Sequence, residues 1–489
     1  DRTVVAVIGD GSLTGGMAYE ALNNVSHLKS NMIIVLNDNK MSISENVGGL
    51  SKHLTALRTR ESYMDFKLDV EKKLKQIPHV GDSVARSVKK SKDSIRQLLV
   101  KGGFFEDFGI KYIGPIDGHD IKEMVRVLNA LKRLNEPVVM HVVTQKGRGY
   151  VPAEKNPSAF HGVGSFDIAT GESLAGKSLT YTSVFSKTIC RLGKAHPDVV
   201  TICAAMPDGT GLTAFKKHFP DRFFDVGIAE QHAVTFAAGL AAGGMHPFVA
   251  VYSSFLQRAY DQIIHDVCIQ NLPVVFCVDR AGLVGADGET HQGIFDLSYL
   301  SMIPNMTVCA PKNKYELYDM LYFAYQYHGP IAIRYPRGGA YEGFKNMRPP
   351  IEYGRSELMF EGEKIALVAV GSMVQTAVQV REKLLDKGIN ATVVNARFVC
   401  PLDTECLDRL SIDHQWIVTM EENVLKGGFG EACGDYLLEK HEDVRLIHVG
   451  VPDVYVEHGG VDQLKKTLHM DADSIVERIC SAMSDAEDQ

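Results

Sequence analysis

A succession of short apolar runs, few of them alternating with polar residues, most limits what this chain can fold into. Residues 4–8, 32–36, 137–144, 199–203, 248–252, 274–278, 331–334, 365–370, 391–395, 416–420 and 445–449 are of this kind, rich in Val and Ile. A strand with one wet face alternates. A strand covered on both faces does not, and such strands belong to parallel sheets packed between helices. Helical patterns fall between them, at 14–25, 117–134 and 374–387. Strand, helix and strand repeated along a chain predict α/β architecture with doubly wound, mainly parallel sheets.

At roughly 100–200 residues per domain, 489 residues make about three domains. Two stretches read as joints: 165–179, rich in Gly, Ser and Thr, and 338–355, with Pro349-Pro350. They divide the chain into domains over 1–165, 178–338 and 355–489. Within the first, 51–103 has no strand-like run and is Lys-rich from 69 to 101, so it reads as a helical insertion with a solvated face. A formal net charge of −8 leaves no basic footprint for nucleic acid. Nine scattered cysteines form no C-x-x-C pair, which indicates neither a zinc site nor a disulfide framework and fits reduced, cytoplasmic thiols. Residues 231–257 contain no Asp, Glu, Lys or Arg, long enough to span a bilayer. Gly243-Gly244, His246-Pro247 and Ser253-Ser254 interrupt the stretch, so two buried elements around a turn are expected there instead. The chain opens with Asp1-Arg2-Thr3, without an initiator Met or a signal-peptide pattern. Residues 4–8 read as a central strand, and some of its neighbours are expected upstream of Asp1, in roughly a hundred or more further residues.

Gly9-Asp10-Gly11 follows the first strand and opens a helix, where glycines let the backbone approach a phosphate and free N–H groups favour it. Asp10 would repel that phosphate unless a divalent cation lay between them. Asn39 falls just past the next strand, so both side chains can meet at the carboxyl edge of the sheet, where open α/β folds bind ligands. Hard oxygen ligands with a diphosphate describe a Mg²⁺ site. A plain strand-to-helix turn would explain Gly-Asp-Gly alone; the pairing with Asn37-Asp38-Asn39 is what it does not explain. Further on, Glu230 is a lone acid at the head of the uncharged stretch. It is either a helix N-terminal acid helping the dipole or a buried carboxyl kept protonated to donate a hydrogen bond. The segment 279–293 is a Gly-rich polar loop after a strand, and Arg334-Tyr335-Pro336-Arg337-Gly338 follows another. Arginines in such loops suit phosphate, which their planar fork binds through two oxygens.

The spacing from Gly9-Asp10-Gly11 to Asn39 resembles the signature of thiamine-diphosphate enzymes. The longer strings, Gly9 to Met17 and Met41-Ser42-Ile43-Ser44, narrow the resemblance to the deoxyxylulose-phosphate synthase family. Residues 225–232 resemble the glutamate motif of the same enzymes, and 252–262 match again. The resemblance implies three domains of the transketolase type, with thiamine diphosphate and Mg²⁺ as cofactors. It implies that Asp10, Asn39 and the Met41 carbonyl bind the metal, and that Gly11, Ser12, Asn39 and Lys146 hold the diphosphate. Glu230 would bond a ring nitrogen of the aminopyrimidine and help remove the thiazolium proton, while Phe255 stacks on that ring. Arg280 and Arg337 would hold the aldehyde's phosphate, Arg258 would also contact substrate, and Tyr252, Asp287 and His291 would face the reacting atoms. Pyruvate and D-glyceraldehyde 3-phosphate are the implied substrates, and a homodimer the implied assembly. The third domain, with Glu421-Glu422-Asn423 and Gly427-Gly428-Phe429-Gly430, shows no catalytic constellation and reads as structural or dimer-forming. Transketolases carry Pro after the His-Gln of the 279–293 loop, where this chain has Gly293. Two alternatives stay open: another transketolase-type enzyme, which would release no CO₂ from pyruvate, and an inactive truncated form.

Overall fold

The computed structural model describes residues 3–28, 30–59, 103–134, 136–174, 176, 178–285, 287–440 and 444–487. They fall into two compact units, Asp1–Gly176 with Asp225–Ala229, and Lys177–Phe224 with Glu230–Gln489.

The first unit is built on β1 (Val4–Gly9), β2 (Met32–Asp38), β3 (Lys111–Asp117) and β4 (Val138–Val143), in the order β1-β2-β4-β3. All three pairings are parallel. Consecutive residues of β2 go to opposite cores: Ile34 and Leu36 pack with Leu22, Val25 and Tyr112, whereas Ile33 and Val35 pack with Ile113, Leu131 and Met140. That two-sided burial is why the strand reads as an unbroken apolar run. The helix Ile121–Leu131 starts at Asp120, whose carboxylate accepts the Glu123 N–H at 3.0 Å, a standard N-cap.

Two readings of this unit differ from what is observed, and a third falls mostly outside the described residues. Strand β3 had no counterpart in the sequence reading, because Gly114-Pro115 reads as a breaker; the strand absorbs the pair as a register shift between Ile113 and Ile116. Residues 4–8, expected in the middle of a sheet, form the edge strand of the described sheet, with Val4, Val5 and Val7 about half to three-quarters exposed. An apolar run states a demand for cover; among the described residues Ile8 packs against the core that holds Leu22 and Tyr112, whereas Val5 and Val7 stay largely exposed. Of the expected helical insertion, the helix Gly48–Thr59 is seen and residues 60–102 lie outside the described residues.

The second unit carries two sheets. One comprises β5 (Val199–Cys203), β6 (Phe223–Asp225), β7 (His246–Tyr252), β8 (Val275–Asp279), β9 (Thr307–Cys309), β10 (Ile331–Arg334) and β14 (Phe398–Cys400), in the order β14-β9-β10-β8-β7-β5-β6. The other comprises β11 (Glu357–Phe360), β12 (Lys364–Ala369), β13 (Thr392–Asn395), β15 (His414–Val424) and β16 (Arg445–Val451), in the order β11-β13-β12-β15-β16. Both have parallel interiors, and the antiparallel pairs are at the edges, β14 on β9 and β11 on β13. The uncharged stretch resolves into the helix Glu230–Ala242, a turn at Gly243-Gly244 and β7, as its interruptions predict. Among the described residues no helix is long and apolar enough to cross a membrane.

The two sheets of this unit are stitched together. β14 comes from the third stretch of chain yet completes the sheet of the second. Beside it, the buried Lys312 ammonium lies 2.5 Å from Glu357 and 3.3 Å from Glu316, and Arg397 Nε donates to Glu316 at 2.8 Å. Asn395 Nδ2 donates to both carboxylates, so every charge in the cluster has an opposite partner.

Candidate active site

In parallel sheets the carboxyl ends of all strands lie at one edge, and the predicted residues gather at those ends. In the first unit, Asp10 follows β1, Asn39 and Met41 follow β2, and Lys146 follows β4. Asp10 is 5% exposed. Its Oδ2 accepts the Lys40 N–H at 2.9 Å, while its buried Oδ1 has no hydrogen-bond partner. Burial and the neighbouring Asp38 push the Asp10 carboxyl up to about 7. A buried carboxylate oxygen left open beside a second carboxylate is a site for a cation.

Asn39 Oδ1 accepts the Met41 N–H at 2.9 Å and keeps its second lone pair for another partner. Among the described residues no group of three His, Cys, Asp or Glu side chains suits a metal. The predicted set is different in kind: one carboxylate, one amide and one backbone carbonyl, as suits Mg²⁺. Gly11 is forced by proximity, since a Cβ there would lie 2.8 Å from Asn46 Oδ1 and 2.9 Å from Ser42 Cβ. Ser12 is exposed at the start of the 3₁₀ turn Ser12–Thr14. Lys146 Nζ donates to the Ser42 carbonyl at 2.7 Å and lies 2.7 Å from His161 Nδ1; burial lowers its pKa, and the charge of Asp10 opposes that.

Behind this edge stands a network that the sequence reading assigned no role. Asp38 is fully buried and meets His141 Nε2 at 2.9 Å and Arg58 Nε at 2.6 Å, and His141 Nδ1 meets the Tyr112 hydroxyl at 2.6 Å. Burial raises the Asp38 pKa, but the bonds from His141 and Arg58 outweigh it and hold the carboxyl well below its usual range. The available signal was His141 itself, an imidazole inside the apolar run Val138–Val143.

In the second unit, Glu230 opens its helix and is 4% exposed. Burial raises its pKa, and Arg258, whose Nη1 lies 2.8 Å from Oε2, pulls it back. Arg258, predicted to touch substrate, is thus found on Glu230, with its side chain 39% exposed. Tyr252 ends β7; its ring packs 5.5 Å from Phe255, and Phe255 meets His291 edge-on at 5.4 Å. Burial pushes the Tyr252 hydroxyl up to about 12, so it stays protonated as a donor. Phe255 is half-buried and keeps part of its ring surface available for stacking.

Arg280 follows β8, with its guanidinium 4.0 Å over the Tyr252 ring. Asp287 Oδ2 joins two cations, Arg280 Nη1 at 2.8 Å and Arg337 Nη1 at 3.3 Å. Tyr252, Phe255, Arg280, Asp287, His291 and Arg337 therefore form one connected cluster at the ends of β7, β8 and β10. Two guanidinium groups meet at this cluster, and their planar forks are of the kind that hold a phosphate.

Comparisons with known proteins point to one family. Three family models match in series: one described as 1-deoxy-D-xylulose-5-phosphate synthase over residues 1–144, the transketolase pyrimidine binding domain over 177–341, and the transketolase C-terminal domain over 354–475. The 1-deoxy-D-xylulose-5-phosphate synthase of Lachnoclostridium phytofermentans is 58% identical over 98% of this chain and 77% of its own length. That of Clostridium tetani is 50% identical over 98% of this chain and 78% of its own length. Among solved structures, a split-gene transketolase described as an inactive β4 tetramer aligns with 63% of this chain and 99% of its own, at 30% identity and a TM-score of 0.57. A transketolase from Campylobacter jejuni aligns with 98% of this chain and 77% of its own at a TM-score of 0.54, and at 17% identity it speaks for the fold alone.

Proposed function

Since the chain belongs to the 1-deoxy-D-xylulose-5-phosphate synthase family, we propose the division of labour below for the residues at its sheet edges. The reaction is a thiamine-diphosphate- and Mg²⁺-dependent transfer. Pyruvate is decarboxylated, and the remaining two-carbon unit joins D-glyceraldehyde 3-phosphate to give 1-deoxy-D-xylulose 5-phosphate and CO₂. The cofactor, when bound, supplies the electron sink that lets CO₂ leave.

In this reading Asp10 Oδ1, Asn39 Oδ1 and the Met41 carbonyl hold Mg²⁺, and Gly11, Ser12 and Lys146 receive the diphosphate. Glu230 faces a ring nitrogen of the pyrimidine, its burial favouring the protonated carboxyl that can donate to that nitrogen, and Phe255 supplies the stacking surface. Arg280 and Arg337 take the phosphate of the second substrate. Tyr252 and His291 direct their polar atoms at the reacting carbonyls, and Asp287 orients the arginines. Arg258 acts through Glu230 and reaches substrate from the exposed side of that pair. The three domains divide near 165–178 and 338–355, the assembly is a homodimer and the setting cytoplasmic.

The observation that carries the residue assignment is Asp10 Oδ1, a buried carboxylate oxygen without a protein partner at the head of a helix, beside an amide with a spare lone pair. Asp10→Ala should abolish Mg²⁺-dependent binding of thiamine diphosphate in calorimetry while leaving the circular dichroism spectrum unchanged. Unchanged binding would remove Asp10 from the site.

A further inference from the structure

The loop from Arg280 to Gly293 carries three of the substrate-cluster residues; its stem is closed by the Gly282–Gly293 backbone pair and braced by Arg334 and by residues from the last stretch of chain. Glu422, near the end of β15 and 3% exposed, accepts the Leu283 N–H on Oε2 at 3.3 Å. Its Oε1 lies 2.5 Å from Lys465 Nζ. The approach is close enough to dictate the loop sequence: Gly282 has φ +78°, and a Cβ there would stand 2.3 Å from Glu422 Oε2. The far end of the loop is tied by the buried Arg334, whose Nη2 donates to the Gly293 carbonyl at 3.3 Å and to the Glu422 carbonyl at 3.1 Å. Between these ties, Gln292 accepts the Val284 N–H at 2.8 Å and donates to the Glu457 carbonyl at 3.1 Å, and the Gly459 N–H reaches the Gly285 carbonyl at 3.4 Å.

We propose that Glu422, held by Lys465, is a positioning residue that sets the reach of Arg280 and Asp287 toward the phosphate of the second substrate. The proposal rests on the reading of Arg280 and Arg337 as the phosphate pair. The stem is fixed at Leu283 and Gly293, while Asp287 and His291 stand on the part between. A shift at Leu283 therefore passes along a short connection to Arg280 and, through the Val284 carbonyl that Arg337 Nη1 holds at 3.1 Å, to the second arginine. An ionised carboxylate is the stronger acceptor for a backbone N–H, and the positive charge of Lys465 beside Glu422 keeps that carboxyl ionised against the effect of burial. An apolar pair would fill the same space but leave the Leu283 N–H unmet.

The test compares Glu422→Gln, Lys465→Met and Arg280→Ala in the cofactor-loaded enzyme, with two readouts. One is steady-state kinetics with glyceraldehyde 3-phosphate and with unphosphorylated glyceraldehyde; the other is amide exchange of the peptide covering 282–293. Glu422→Gln should raise KM for the phosphorylated aldehyde about tenfold, as expected when a charge-assisted hydrogen bond is weakened. It should leave kcat and KM for pyruvate and for the plain aldehyde within about twofold, while exchange in 282–293 quickens; Lys465→Met should move in the same direction. A fall in kcat shared by both aldehydes with KM unchanged would mean a structural part only and overturn the proposal. Unchanged exchange in 282–293 would overturn it whatever the aldehydes do. Faster exchange in Glu422→Gln, with Arg280→Ala equally poor on both aldehydes, would sink the phosphate reading and leave the clamp standing.

Discussion

Replacing Gly11 by Ala tests the diphosphate half of the site through one methyl group. Gly11 has φ −63° and ψ −46°, ordinary right-handed geometry that Ala adopts without strain, so backbone conformation contributes nothing to the outcome. What remains is contact. The new Cβ would stand 2.8 Å from Asn46 Oδ1 and 2.9 Å from Ser42 Cβ, more than half an ångström inside the ~3.5–4.0 Å separation of ordinary carbon contacts. Asn46 can swing its amide away, but Ser42 Cβ moves only with its backbone. The 41–46 loop must therefore retreat, taking with it the Met41 carbonyl and the Ser42 carbonyl on which Lys146 rests. Overpacking of this kind costs about 1–3 kcal/mol, or roughly 5- to 150-fold in affinity if the strain is relieved by moving the loop. Titration calorimetry of thiamine diphosphate with excess Mg²⁺ should show that loss, while the melting temperature of the cofactor-free protein shifts by only a few degrees. Full affinity in Gly11→Ala would mean that neither the loop position nor the close approach at Gly11 matters to binding.

Glu230→Gln keeps the shape of the acid and removes its titrating proton, and exchange of the thiazolium proton, followed by NMR of quenched samples, should slow by about 10²–10⁴-fold; normal exchange would strip Glu230 of its role. Glu421 bears on pH and stability, because burial raises its pKa from 4.5 to about 7 even though it accepts the Phe429 and Gly430 N–H groups. A raised folded-state pKa favours the protonated form, so its contribution is full below about pH 4.5 and is lost as pH rises through about 7. Melting curves across that window should show the wild type declining relative to Glu421→Gln, and parallel curves would refute the assignment.

The apolar runs betrayed their strands because both faces of each sheet are covered, and Ile33 and Ile34 going to opposite cores is that signal in atomic form. The candidate site residues were legible as far as motifs follow strands. Glu230 at a helix start and Arg280 at a strand end are local facts. Pairings across the sheet were not legible: Asp38 meets His141 over 103 positions, and Asp287 is shared by Arg280 and Arg337 only because β8 and β10 are neighbours. Arg258 meets Glu230 because two helical segments pack together, a contact made by the fold rather than announced by spacing. β3 stayed hidden because a Gly-Pro pair looks like a turn until a neighbouring strand holds it.

The stitching between the two sheets of the second unit bears on how the molecule comes apart. Composition marks 338–355 as a joint, yet a cut there would strip β14 from β9 and strand Lys312 and Glu316 in an interior without Glu357, Asn395 and Arg397. Lys312 and Glu316 would keep each other but lose the partners that complete the buried network, and removing partners from buried charges is strongly destabilising. The hypothesis that follows is one of cooperativity: residues 178–487 melt as a single block, and calorimetry showing two separable transitions would contradict it. A linker in the sequence then marks where the chain passes from one sheet to the next, and not where one folding unit ends.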